Sequence, residues 1–183
     1  MKTPFILPLL LLCTLASAAE FKVLQPQQSS VNFVSKQMGV PVDGEFKKFT
    51  ANIVLDPGKP EKGAARIDLD LGSIDTGSQE ANEEVIGKAW FDAKTYPTAS
   101  FVSTAVKTLG QGRYAALGKL TIKGKTLDTQ ADFTIEQKAG LVTLTGAFIL
   151  KRLAYGIGSG IWSDTDTVAD DVLVRFRFVL AQK

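Results

Sequence analysis

The chain has 183 residues, with 21 Lys and Arg against 19 Asp and Glu, one cysteine and no histidine. That inventory excludes disulfides within the chain, Cys/His zinc sites and every histidine-dependent triad. A formal net charge of +2, with no dense Lys/Arg stripe, gives no field to draw in nucleic acid.

The first residues read as an export leader rather than as part of the fold. Lys2 supplies a positive start, residues 5–15 an apolar run, and Ala16-Ser17-Ala18 a small-x-small cleavage signal. The run is too short for a membrane-spanning helix, which needs roughly 20 residues. Cys13 follows the bulky Leu12, against a lipid-modified start. The expectation is cleavage after Ala18 and a soluble mature chain of residues 19–183 in the periplasm. Cleavage removes Cys13 as well, and with it any thiol nucleophile. About 165 residues remain, a length that suits one domain.

Along the mature chain, residues 31–38 open the first β stretch, with Val31, Phe33 and Ser35 on one face. Gly39-Val40-Pro41 is expected to break it, because proline cannot donate to a ladder. Phe49, Ala51, Ile53 and Leu55 then alternate with polar residues, and Asp56-Pro57-Gly58-Lys59-Pro60 is a loop. Residues 66–72 alternate Ile67, Leu69 and Leu71 against Arg66, Asp68 and Asp70, which predicts a strand with one apolar and one wet face. Ser78 is placed to cap a short helix over about 79–86, with Glu80 in its first turn and Gly87 at its end. So short a helix must dock on something. The aromatic hinge Trp90-Phe91-Asp92 to Tyr96-Pro97 follows it directly.

Strands are predicted at 98–107, 113–122, 127–137 and 142–150, with tight turns at Gly110-Gln111-Gly112, Lys123-Gly124-Lys125 and Ala139-Gly140. A glycine-rich and acidic connection over 151–170 leads to a last strand, where Val172, Val174, Phe176, Phe178 and Leu180 oppose Arg175 and Arg177. No repeat or linker divides the chain. About eight such strands fit a sandwich or a closed barrel. At about ten residues, roughly 30 Å, they are long for a sandwich. The expected fold is all-β: a single eight-stranded antiparallel barrel with one short helix packed at its edge.

An eight-stranded barrel holds either a filled core or one small ligand. Phe33, Phe101, Phe133, Phe148, Phe176 and Phe178 are spread over five strands and interleaved with Ala51, Ala131 and Gly146. Large and small residues mixed in this way leave room for a dry channel, and Leu144 shares its inward face. Trp90 and Phe91 either cap the mouth of such a channel or anchor the helix. No catalytic residue is singled out. Asp68 and Asp70 make the one candidate carboxylate pair, and their strand face points to water. Gly156-Ile157-Gly158-Ser159-Gly160 lacks the Lys-Ser/Thr of a phosphate loop. Asp164-Thr165-Asp166 lacks EF-hand spacing, so a solvated acidic loop is expected and no metal site.

Several segments together resemble the YceI-like family. They are Ser73-Ile74-Asp75-Thr76-Gly77, Trp90-Phe91-Asp92, Tyr96-Pro97-Thr98-Ala99-Ser100-Phe101-Val102-Ser103, Gly118-Lys119-Leu120-Thr121-Ile122-Lys123-Gly124, and Lys151-Arg152-Leu153 with Tyr155-Gly156-Ile157-Gly158. The resemblance spans essentially the whole mature chain. It implies a lipocalin-like barrel, exported to the periplasm, holding a polyisoprenoid, isoprenoid quinone or fatty-acid-like amphiphile, with no covalent cofactor and no bond chemistry. The residues expected at that ligand are Phe33, Trp90, Phe91, Phe101, Phe133, Leu144, Phe148, Arg152, Tyr155, Phe176 and Phe178. Where many members carry histidine, this chain has Gln27-Gln28-Ser29, Lys36-Gln37-Met38-Gly39 and Ala81-Asn82-Glu83. An interaction module docking a membrane or electron-transfer partner is the alternative reading, and a hydrolase of a lipidic substrate a third.

Overall fold

The computed structural model describes residues 20–182. The expected leader, residues 1–18, lies outside them. Eleven antiparallel strands form one sheet: β1 (Phe21–Leu24), β2 (Ser30–Gln37), β3 (Val40–Phe46), β4 (Phe49–Val54), β5 (Ala64–Asp70), β6 (Ile74–Asp75), β7 (Thr98–Gly110), β8 (Arg113–Ile122), β9 (Lys125–Lys138), β10 (Leu141–Lys151) and β11 (Asp171–Gln182). One helix, α1 (Gln79–Val85), sits between β6 and β7. Among the described residues no helix is long and apolar enough to cross a membrane.

The sheet runs β4-β5-β7-β8-β9-β10-β11-β2-β3-β6 and curls on itself. At one end β1 pairs with the close of β11 and reaches β4, where Phe21 and Leu55 exchange backbone hydrogen bonds of 2.9 and 3.1 Å. That bridge ties the β4 edge of the curled sheet back to β1. Phe21, Val142 and Leu180 are wholly buried beside it and plug this end. At the other end lie α1, the aromatic hinge and the connection from β10 to β11.

The strand count exceeds the eight expected from the sequence, for physical reasons. β1 and β6 are too short to show an alternating pattern. Gly39 turns the chain at φ 78°, but Pro41 does not end the pairing: it stands within β3 opposite Lys36. β3 has a partner on its other side only at Glu45 and Phe46, so proline occupies an open edge, where a missing N–H costs no ladder bond. β5 closes at Asp70, whose carboxylate accepts the Gly72 N–H at 2.9 Å and starts a short 3-10 turn at Leu71–Ser73. Leu71 remains wholly buried within that turn.

The helix forms as its cap predicts. Ser78 Oγ accepts the Ala81 N–H, and the backbone carbonyl of Asn82 accepts from Ile86 at the far end. Asn82 Oδ1 also takes the Thr76 N–H at 2.7 Å and the Thr76 hydroxyl at 2.8 Å, which ties α1 to β6.

Candidate functional site: a two-lobed cavity

The barrel is hollow. Alternation turns one face of each strand inward, and the interior holds two adjoining spaces. An outer lobe of about 500 Å³ lies under α1, the hinge and the β10–β11 connection, and an inner lobe of about 120 Å³ lies toward the plugged end. They meet at five side chains, one from each of five strands: Leu69 of β5, Ala99 of β7, Leu120 of β8, Phe148 of β10 and Val174 of β11. Leu69 pairs directly with Ala99 across the ladder, and Phe148 with Val174, so the five make a belt.

The lobes differ in chemistry. Ser100 and Ser103 bring the only polar side chains to the inner lobe, and Ser103 Oγ is occupied by the Ala65 N–H at 2.8 Å. The outer lobe carries a largely apolar interior, with the buried Arg152 beneath Trp90, and polar groups that include Ser35, Gln37, Thr76 and Glu80. This accounts for the mixed inward face of β2, whose Val31 reaches the inner lobe while Phe33, Ser35 and Gln37 line the outer one.

The space exists because three phenylalanines lie flat on the wall. A methyl group at Gly44 would come within 2.2 Å of Phe33 Cζ, one at Gly118 within 2.5 Å of Phe101 Cζ, and one at Gly146 within 2.4 Å of Phe176 Cζ. Each ring thus folds over a glycine of the adjacent strand instead of pointing across the lumen. Phe176 also stacks on Phe178 at 5.4 Å, and Phe133 packs on Tyr114 at 5.6 Å, which holds the rings to one side.

Of the residues singled out from the sequence, Phe101, Phe133, Leu144, Phe176 and Phe178 line the inner lobe. Phe33, Trp90, Phe91 and Arg152 line the outer one, and Phe148 stands between. Tyr155 lines neither lobe. It is buried in the core behind Phe148, with its hydroxyl 3.5 Å from Thr129 Oγ1, and burial raises its pKa. Trp162, Phe46, Ala81 and Val85 join the outer lobe without having been foreseen. The isolated Ile161-Trp162 pair within a polar connection is the one sequence signal that pointed to such a role.

Trp90 and Phe91 both anchor the hinge and line the outer lobe. Trp90 packs on Trp162 at 5.5 Å, and the Arg152 guanidinium lies 5.5 Å from its ring centre. Phe91 meets Phe46, which meets Phe33. Trp90 Nε1 is the single buried side-chain nitrogen or oxygen without a hydrogen-bond partner among the described residues.

Arg152 is 1% exposed, and its donors are spent on its own connection. Nε donates to the Ala169 carbonyl at 3.0 Å, Nη1 to those of Ile157 and Gly158 at 2.9 and 3.3 Å, and Nη2 to that of Val168 at 2.6 Å. Burial lowers its pKa, which Asp170 partly offsets. The group clamps the β10–β11 connection beneath Trp90. Gly158 belongs to the clamp, since a methyl there would stand 2.2 Å from Nη1.

That connection is not a phosphate cradle. The Gly158 and Ser159 N–H groups both donate to the Ala89 carbonyl, at 3.0 and 2.8 Å, and fasten the loop to the hinge. Asp164 accepts from the Asp166 N–H at 3.0 Å and the Thr167 hydroxyl at 2.8 Å, bonds that lower its pKa and shape a turn. Asp68 is paired with Arg66 at 2.7 Å, and Asp70 caps its turn. Neither acid of that pair lines the cavity.

The model of the YceI-like domain matches residues 23–180. The chain belongs to the YceI-like family. Curated YceI-like relatives include a UPF0312 protein of Pseudomonas putida strain W619, 34% identical over 113 residues, which are 61% of this chain and 59% of that protein. Another, from Photorhabdus laumondii, is 32% identical over 120 residues, 64% of this chain and 62% of the relative. The matched region therefore spans about three-fifths of the length of these relatives. Among solved structures, BcnA of Burkholderia cenocepacia is 44% identical with a TM-score of 0.83, covering 85% of this chain and 98% of that one. A polyisoprenoid binding domain from Saccharophagus degradans shares the YceI-like fold with a TM-score of 0.64, 18% identity, and coverage of 91% and 100%.

Proposed function

We propose that the protein is a periplasmic carrier that holds a long amphiphile (a polyisoprenoid, an isoprenoid quinone or a fatty-acid-like molecule) in the barrel interior and does no bond chemistry on it. The observation that carries this reading is the two-lobed cavity, apolar at depth and with its polar groups chiefly in the outer lobe. Such a space suits a chain with one polar end, the chain buried and the end in the outer lobe. Apolar burial contributes about 25 cal/mol per Å² before ordering costs, so a long chain binds without a charge partner. Family membership supports the same reading, as does the ligand class named for the Saccharophagus degradans domain. The leader-like pattern of residues 1–18 is in keeping with export.

Native mass spectrometry of gently purified protein tests the proposal. The expected result is a bound species of prenyl or acyl mass, exchangeable with added ligand. An empty barrel that takes up no prenyl or acyl compound would sink it.

One observation favours the interaction module as a second reading. Met38, Val40 and Ile161 are 74, 63 and 80% exposed. They flank the outer lobe on segments joined by the Met38 N–H and the Thr167 carbonyl. A protein that co-purifies with the empty barrel would move the assignment there.

A further inference from the structure

The belt between the two lobes gives the cavity a property that the carrier reading alone does not contain. Five strands contribute one residue each, so the constriction is fixed by the sheet and not by a loop. Its members are unequal in size, and Ala99 is the smallest. Ala99 is also buried, at 2% exposure, and pairs across the ladder with Leu69. Ala99 is thus the smallest side chain lining both lobes, and enlarging it adds the most bulk at their junction. Beyond it lies the inner lobe, and Phe21, Val142 and Leu180 are packed in the core at that end of the barrel without lining it.

We propose that this belt and the chamber behind it select ligands by chain length. The polar end stays in the outer lobe, the chain threads past Ala99, and its last carbons fill the inner lobe. An apolar cavity of about 150 Å³ takes up one benzene. On that scale the inner lobe, at about 120 Å³, holds roughly one five-carbon unit. Chains that stop at the belt leave the chamber empty, and chains longer than the chamber holds gain no further burial in it. The inference rests on the carrier reading, since it describes how a chain lies within the same cavity.

The test is a binding titration of the whole protein with a homologous series of straight-chain fatty acids and a series of prenyl alcohols. In the native protein the affinity should rise by up to about fourfold per added methylene, the burial value of about 0.8 kcal/mol converted to a ratio. The rise should stop once the inner lobe is full. Ala99→Leu narrows the belt and should move that stopping point to chains shorter by roughly five carbons. Ala131→Leu fills the inner lobe from the far side of the belt and should shift the stopping point in the same direction. It also covers the case in which Ala99→Leu fails to fold.

A stopping point unchanged in a folded variant, or a uniform loss of affinity at every length, overturns the length selection and leaves the carrier reading standing. A native protein that binds no member of either series overturns both.

Discussion

Three glycines decide how much room the aromatic residues leave. Gly146 is hemmed in by backbone and ring together: a methyl there would stand 2.4 Å from the Asp132 carbonyl and from Phe176 Cζ, and 2.8 Å from Phe133 Cβ. Gly146→Ala must therefore push Phe176 off the wall and shift β10 against β9 at Asp132, which overpacks one side and intrudes on the inner lobe. The expected cost is about 1–3 kcal/mol in urea unfolding, with part of it recovered by adding Phe176→Leu. If the two changes are simply additive, the ring does not depend on the glycine. Arg152 sets a different kind of constraint. A guanidinium taken out of water is tolerable here because Nε, Nη1 and Nη2 each donate to a backbone carbonyl and the Trp90 ring lies against it. Removing it would leave a cluster of buried acceptors unpaired, at about 1–3 kcal/mol each.

At the scale of elements, α1 is a seven-residue roof held by its ends. Its approach depends on Asp75, which pairs with the Lys47 ammonium and accepts from the Gly77 N–H at 2.9 Å and from Asn82. The Lys47 contact comes first among the causes that lower the Asp75 carboxyl to about 2 from its ordinary 3.8. The folded-state pKa lies below the unfolded one, so this contribution is fully present above the ordinary value and is lost as pH falls toward 2. Stability of the native protein and of Asp75→Asn, measured by denaturation at stepped pH, should differ at neutral pH and converge through that acidic window. A constant gap across it would exclude Asp75 as the acid-sensitive tie.

The elements also show what a sequence can reveal. The long strands and the Ser78 cap were legible because alternation and capping are local physics. β1 and β6 were not, since a few residues carry no period, and Pro41 misled because its edge position is set by which strand stops short on the other side. The inward residues were legible as a face. That Phe33, Phe101 and Phe176 lean on glycines of the adjacent strands was not, because Gly44, Gly118 and Gly146 become their partners only through register. Tyr155 was drawn toward the ligand by its neighbours in sequence, yet a 3-10 turn at Arg152–Tyr155 carries it into the core.

For the whole molecule, the hollow interior makes volume a thermodynamic variable. Unfolding lets water reach space that the folded barrel keeps from dense packing, so the unfolded state of an empty protein is the smaller one, by about 20–100 mL/mol in typical domains. A chain lodged in both lobes removes most of that difference. Hydrostatic pressure should therefore unfold the empty protein at a lower midpoint than the loaded one, beyond the shift that ligand binding gives at ambient pressure. Both tryptophans of the chain, Trp90 and Trp162, stand at the outer lobe, so their intrinsic fluorescence reads the transition without a label. Equal volume changes for the empty and loaded forms would mean that the chain lies outside the barrel. Squeezing the protein thus measures, in millilitres per mole, how much of its interior was kept for something else.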